Sequence, residues 1–232
     1  MKKNLTVGLA ILFAAVVALT TASPKVNAQG AGLVSSIFNK MERNRRDLRS
    51  MRASISMEKY NAQIRDTDKR SGTVAYIPGS GRDSFVRVDW RSPVQEVLAI
   101  AGGEYTLFSP RRKMAWVGST QSKNAKVSGV LGFGLNATAA QLKAAYDVKD
   151  VYNETLWGGV ATTHMTLVPK GASSHKYTEI WVDGAGMPVQ TKVVEKNGDA
   201  TTVRLMDIQR NVAVSKDEFK LNLGGDVKKV RG

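Results

Sequence analysis

Residues that carry out covalent or metal chemistry are few in this chain. It contains no cysteine, which excludes thiol catalysis and thiolate metal sites. The two histidines, His164 and His175, have no carboxylate at metal-ligand spacing. We therefore interpret both as ordinary strand or loop residues, with a ligand role as the alternative.

The sequence motifs of common enzyme classes are also missing. No Gly-x-Ser-x-Gly elbow of a hydrolase is present. Gly132-Phe133-Gly134 lacks the third glycine of a dinucleotide-binding turn, and Gly79-Ser80-Gly81 is not followed by the Lys and Ser or Thr of a phosphate loop. We predict that the protein is not an enzyme, and that it needs neither a metal nor a cofactor.

Large apolar side chains give the clearest positive signal. All four tryptophans, Trp90, Trp116, Trp157 and Trp181, lie in or beside predicted strands. An ordinary core is the commoner role for such residues. The alternative is an apolar cavity, which would take an apolar ligand.

Five short predicted strands follow one another in the first half of the chain. They cover residues 73–77, 84–90, 95–101, 104–109 and 113–117, separated by Gly and Pro. Val86, Val88 and Trp90 alternate with Arg87 and Asp89, so this sheet is expected to have one apolar face and one polar face.

Further strands are predicted at 50–63, 148–155, 160–168, 177–182, 188–195 and 201–208, with a last short strand at 218–223. Residues 65–70 are predicted to be a charged hairpin loop. The fold class is therefore α+β, mainly β, with about eleven antiparallel strands in one sheet. An open sheet of that size is expected to curl strongly without closing.

Two helices are predicted beside the sheet. The first, 33–47, places Leu33, Val34, Ile37, Phe38 and Met41 near one face. Arginines 43, 45, 46, 49 and 52 follow as a solvated helix end or as a docking patch for an acidic partner or membrane. The second, 138–146, begins at a possible cap, Thr138. Before it, 127–135 is apolar and rich in glycine, which suits either a lid or a permanent crossover.

The N-terminus resembles an export signal. Lys2 and Lys3 precede an apolar run, and cleavage is predicted after Ala28, although an uncleaved anchor is the alternative. Residues 29–232 are then expected to form a single domain. Removing the leader lowers the formal net charge from +14 to +11, which favours anionic partners. Export argues against nucleic acid as a partner.

The order of these segments resembles the family of LolA-type outer-membrane lipoprotein carriers. The residues that carry the resemblance extend over nearly the whole predicted domain. They are 48–53, Gly72-Thr73-Val74-Ala75-Tyr76, 85–90 with Pro93, 101–110, 167–170, Gly186-Met187-Pro188-Val189-Gln190, Gly198, Asn211 and Phe219. One feature departs from the family: its carriers have an arginine latch before a proline, where this chain has Ile77 before Pro78.

The resemblance implies an unclosed half-barrel with an N-terminal helix and a short helical lid over its concave face. It implies a monomeric periplasmic carrier that holds the acyl chains of lipoproteins, or another lipid, and moves them from an inner-membrane donor complex towards an outer-membrane acceptor. The alternative is an envelope sensor or structural module of the same fold that binds an acidic partner or membrane through its basic face. We expect the ligand to contact Val74, Tyr76, Val86, Val88, Trp90, Leu98, Ile100, Tyr105, Leu107, Trp116, Leu131 and Phe133.

Overall fold

The computed structural model describes residues 26–79, 84–120 and 138–231, and their side chains from residue 32 onward. Within these ranges the chain forms two helices and one sheet of twelve strands. The predicted fold class is confirmed, since the molecule is mainly β and its sheet is curled and unclosed. The helices are α1 (Val26–Asp47) and α2 (Ala139–Ala145).

The twelve strands follow one another along the chain. They are β1 (Met51–Asn61), β2 (Asp66–Ile77), β3 (Phe85–Ser92), β4 (Glu96–Ala101), β5 (Glu104–Ser109), β6 (Met114–Ser119), β7 (Tyr146–Leu156), β8 (Val160–Pro169), β9 (His175–Asp183), β10 (Pro188–Glu195), β11 (Ala200–Arg210) and β12 (Lys228–Arg231).

The order across the sheet is β12-β6-β5-β4-β3-β2-β1-β11-β10-β9-β8-β7. Two antiparallel meanders, β1 to β6 and β7 to β11, are therefore joined by the pairing of β1 with β11. The last strand, β12, pairs with β6 in the parallel direction and adds to the antiparallel strands that the sequence predicts.

Two predicted elements are wrong in their details. Residues 66–70, predicted as loop, belong to β2, where cross-strand pairs such as Lys69 Nζ to Glu58 Oε1 at 3.0 Å extend the ladder. The strand predicted at 218–223 is absent from that segment. Instead Lys216–Phe219 forms a 3₁₀ turn, because Ser215 and Glu218 make a reciprocal capping box.

Both predicted helices are present, and their buried residues follow the predicted pattern. Ile37, Phe38 and Met41 of α1 are buried, whereas Leu33 at its outer side is 44% exposed. α2 begins at the predicted cap: Gln141 N donates to Thr138 Oγ1 at 3.1 Å, and Thr138 N donates to Gln141 Oε1 at 2.8 Å. Neither helix of the described ranges is long and apolar enough to cross a membrane.

Several predicted features lie outside the described residues. These are Leu131 and Phe133, the apolar segment 127–135, and residues 1–25 of the predicted leader. The predicted leader and the predicted single domain stay predictions. α1 begins at Val26, which is before the predicted cleavage site.

Candidate functional site

Ten of the twelve predicted contact residues lie on one face of the sheet. In an antiparallel pair, directly opposed residues point to the same side. The register joins Val74, Val88, Leu98, Leu107 and Trp116 in one row across β2 to β6. A second row holds Tyr76, Val86, Ile100 and Tyr105, and Trp90 lies opposite Gly72 and Glu96. We call this side the apolar face.

Burial divides these ten residues into two groups. Eight belong to the buried core and are at most 8% exposed. Leu107 and Trp116 are only half-buried and pack against that core from its side. A ligand could therefore reach Leu107 and Trp116 with the least rearrangement. The other eight become accessible only if the residues packed on them move.

The apolar face continues beyond the predicted set onto β1 and onto β11 of the second meander. Met51, Ala53, Ile55 and Met57 of β1 alternate as buried residues, and Val203 and Leu205 of β11 pack with them. The sequence prediction of the contact residues missed this half. The alternation of apolar residues in β1 and β11 was the signal that could have found it.

Both helices lie on the same face as these residues. The register runs from Met57 to Val203, Thr191, Ile180 and Met165 across β1, β11, β10, β9 and β8. Ile180 and Met165 form a second buried cluster with residues of α1 and α2. The helices thus cover the β7–β9 end of the apolar face.

A buried carboxylate lies at one margin of the apolar face. Glu96 is 6% exposed and accepts from Arg70 Nη1 at 3.0 Å and from Arg112 Nη2 at 2.7 Å. The guanidinium of Arg112 also lies 4.8 Å above the ring of Trp116. Charged groups therefore border the half-buried part of the face.

A second acidic residue ties the two helices together. Glu42 of α1 binds Arg45 Nη2 at 2.6 Å and lies 3.5 Å from the backbone N of Ala139, at the N-terminus of α2. The hydrogen bond from Arg45 holds the pKa of Glu42 below its usual value. This carboxylate complements the exposed N–H groups of α2 and so fixes the position of that helix.

The opposite side of β1 to β3 is polar and carries a pocket of about 500 Å³. Its floor and rim include three arginines and three carboxylates: Arg52, Arg87, Arg91, Asp89, Asp207 and Glu218. Arg87 Nε donates a hydrogen bond to Asp89 Oδ2 at 2.9 Å. Both residues lie on the face that the sequence predicts to be polar. We call this the polar pocket.

The 3₁₀ turn Lys216–Phe219 covers one side of the polar pocket. Glu218 Oε2 accepts from Arg52 Nη2 at 2.6 Å, and the Glu218 carbonyl accepts from Arg87 Nη1 at 2.8 Å. Phe219 is buried against Phe85, with ring centroids 5.5 Å apart. The turn therefore depends on both an ionic and an apolar anchor.

Acid is expected to release this turn. The backbone N–H of Ser215 and the guanidinium of Arg52 hold the pKa of Glu218 below 4.5, its ordinary value. A lowered folded-state pKa gives stability that is present above 4.5 and is lost as the pH falls through the folded value. Hydrogen exchange at residues 216–219 should therefore accelerate as the pH drops below 4.5, relative to intrinsic rates. Glu218→Ala should show this fast exchange already at neutral pH, and an unchanged Glu218→Ala variant would contradict the prediction.

Both histidines lie close to neighbouring rings or hydrogen-bonding groups. His164 is buried between Tyr152 and Trp181, with ring centroids 4.4 and 4.8 Å away, and its Nδ1 lies 3.1 Å from the Asp150 carbonyl. His175 Nδ1 lies 2.9 Å from Ser173 Oγ. In these surroundings the two rings serve packing and turn geometry.

The sequence and the fold both match known proteins. The family model described as outer membrane lipoprotein carrier protein LolA matches residues 46–222. An uncharacterized conserved protein from Thermus thermophilus superposes with a TM-score of 0.54 at 12% identity, covering 86% of this chain and 99% of that chain. No curated protein sequence matches this chain.

A second solved structure has the same fold. The Pseudomonas aeruginosa MucA/MucB complex gives a TM-score of 0.52 at 14% identity, covering 85% of this chain and 63% of that chain. This chain therefore spans less than two thirds of that relative's length. At such identities the likeness of both structures shows the fold alone.

Proposed function

The chain belongs to the LolA family of outer membrane lipoprotein carrier proteins, and from this membership we propose that it is a periplasmic carrier that holds the acyl chains of lipoproteins or of another lipid. Such a carrier makes and breaks no covalent bond. It lowers the free energy of a chain in water by removing each CH₂ from contact with water, which is worth about 0.8 kcal/mol per CH₂. In this role it would receive cargo at the inner membrane and release it towards the outer membrane.

One observation carries the proposal: a continuous apolar face on which only Leu107 and Trp116, of the ten described contact residues, are half-buried. A lipid chain that enters beside these two residues would extend along the row formed by Leu98, Val88 and Val74. Because that row is buried, loading requires the cover of the face to move. The proposed carrier is thus closed when empty and opens to take its cargo.

Mass spectrometry of the protein under native conditions tests the proposal. We expect protein purified from the periplasm to carry acylated cargo. Leu107→Asp should lower the lipid-bound fraction about tenfold, because a loaded chain would strip water from the new carboxylate. Since Leu107 is half-buried, this carboxylate can stay hydrated in the empty protein and the fold should survive.

The adjacent residue supplies a matched control. Thr106 is also half-buried but points to the opposite side of β5, so Thr106→Asp adds the same charge without touching the apolar face. Lipid loading of Thr106→Asp should equal that of the wild type. Wild-type protein that never carries lipid, or equal losses in both variants, would refute the carrier function.

The polar pocket favours a second candidate function, an envelope interaction module. Arg52 and Arg87 are paired there with Glu218 and Asp89, whereas Arg91 is in no ion pair among the described residues, and the chain as a whole is strongly basic. An acidic partner could bind to this surface while the apolar face serves only as a core. Crosslinking in intact cells would then recover a partner whose capture falls with Arg91→Glu. Loss of lipid loading without loss of a crosslinked partner in Leu107→Asp would separate this function from carriage.

A further inference from the structure

The apolar face contains one buried hydroxyl without a partner. Tyr105 is 1% exposed, and its hydroxyl makes no hydrogen bond in the described part of the chain. A buried polar group without a partner costs free energy, and native proteins rarely retain one without a reason. The ring itself packs in the core cluster with the other residues of the apolar face.

The register places Tyr105 in the row next to the one along which a ligand would lie. Tyr105 pairs with Ile100 on one side and with Gly118 on the other. Since Gly118 has no side chain, the β6 side of the ring is not filled by the opposed residue. Tyr76, in the same row, differs because its hydroxyl bonds to Ser84, while burial raises its pKa.

We propose that the Tyr105 hydroxyl is the polar anchor of the ligand site and that it donates a hydrogen bond to the carbonyl that joins an acyl chain to its headgroup. This inference rests on the proposed carrier function and narrows its substrate class. The site takes chains linked through an ester or an amide, and it discriminates against an alkyl chain of equal length linked through an ether. The ester of a glycerolipid and the amide of an acylated protein share this carbonyl.

A pair of lipids that differ in this carbonyl tests the anchor. The probes are 1-palmitoylglycerol and 1-O-hexadecylglycerol, which have the same headgroup and nearly the same chain length. Each displaces the apolar dye N-phenyl-1-naphthylamine from the purified full-length protein. We expect the wild type to bind the ester about tenfold more tightly than the ether, which corresponds to about 1.4 kcal/mol.

The variant Tyr105→Phe removes the hydroxyl and keeps the ring. It should lose the preference for the ester through weaker ester binding, while ether binding stays unchanged. Its free form should melt at or above the wild-type temperature, because an unpaired buried hydroxyl has been removed. The control Tyr60→Phe removes the hydroxyl of an exposed tyrosine on the opposite side of the sheet, so it should keep the preference.

The results separate this inference from the carrier function. Equal binding of ester and ether by the wild type, or an unchanged preference in Tyr105→Phe, overturns the anchor and leaves the carrier function standing. Failure of both lipids to displace the dye from the wild type overturns the carrier function itself. A palmitoylated peptide, used as a third probe, should follow the ester because its amide also offers a carbonyl.

Discussion

Gly186→Ala is expected to lower the free energy of unfolding by about 4 kcal/mol. Gly186 lies in the turn between β9 and β10 and has φ of +88°, which a residue with a Cβ adopts only with strain. An added Cβ would also lie 2.3 Å from the carbonyl carbon and oxygen of Lys40 in α1. Since both are backbone atoms of a helix, the clash can be relieved only by moving α1 away from the sheet.

The same turn offers a control that differs by two positions. Gly184 has no positive φ, and a Cβ built on it meets nothing within 4 Å. Gly184→Ala should therefore change the stability by less than about 0.5 kcal/mol. Urea unfolding followed by tryptophan fluorescence measures both variants. If Gly186→Ala is as stable as Gly184→Ala, then α1 is not held against this turn.

This glycine bears on the function as well as on the fold. α1 covers one end of the apolar face, and its backbone at Lys40 and Met41 lies directly against Gly186 of the β9–β10 turn. A displaced α1 would expose the buried cluster that contains Phe38 and Met165. We therefore expect Gly186→Ala to bind more of an apolar dye than the wild type at the same temperature.

Glu96→Gln is the second substitution with a large expected effect, a loss of about 3 kcal/mol in unfolding free energy. The buried carboxylate of Glu96 accepts from two guanidinium groups, and an amide offers only one acceptor oxygen. Its NH₂ group would face the second arginine as a donor against a donor. Arg70 and Arg112 are 33% and 57% exposed, so they can partly rehydrate, which keeps the loss below that of a fully buried pair.

A glutamate on the neighbouring strand provides the comparison for Glu96. Glu104, the first residue of β5, is exposed, so Glu104→Gln should change the unfolding free energy by less than about 0.5 kcal/mol. Thermal unfolding at two salt concentrations measures both variants. Added salt should narrow the difference between wild type and Glu96→Gln only slightly, because salt screens buried pairs weakly. An effect of Glu96→Gln that vanishes in high salt would show that the ion pairs of Glu96 are exposed to solvent.

Where the resemblance to the lipoprotein carriers implies an arginine latch before a proline, this chain has Ile77 before Pro78. Arg70, seven residues earlier in the same strand, binds the margin of the apolar face through Glu96. This pair fastens strands β2 and β4 at that margin and does not involve a helix.

Local pattern was sufficient to predict which residues of β2 to β6 share a face. The side chains of a strand alternate with a period of two, and in β3 apolar and polar residues alternate with the same period. All ten described contact residues therefore lie on the predicted side, and Arg87 and Asp89 lie on the other. Likewise, the Thr138 cap could be predicted because the capping box is contained within four consecutive residues.

Contacts between residues distant in sequence required the tertiary structure. The Glu96 pairs join residues 26 and 16 positions apart, and Gly186 meets Lys40 across most of the chain. The burial of Phe219 against Phe85, a residue of a distant strand, could not be predicted from the residues around it. Which hydroxyl stays unpaired, that of Tyr105 and not that of Tyr76, depends on such neighbours too.

By itself, the sequence determined the class of fold, the two faces of the sheet and the family to which the chain belongs. Each of these depends on the local alternation of apolar and polar residues or on the order of short segments. The tertiary structure decided how far the apolar face is covered, where its charged margin lies and which polar group it holds without a partner. These properties depend on the distances between segments far apart in the chain, and periodicity along one strand contains no information about such distances.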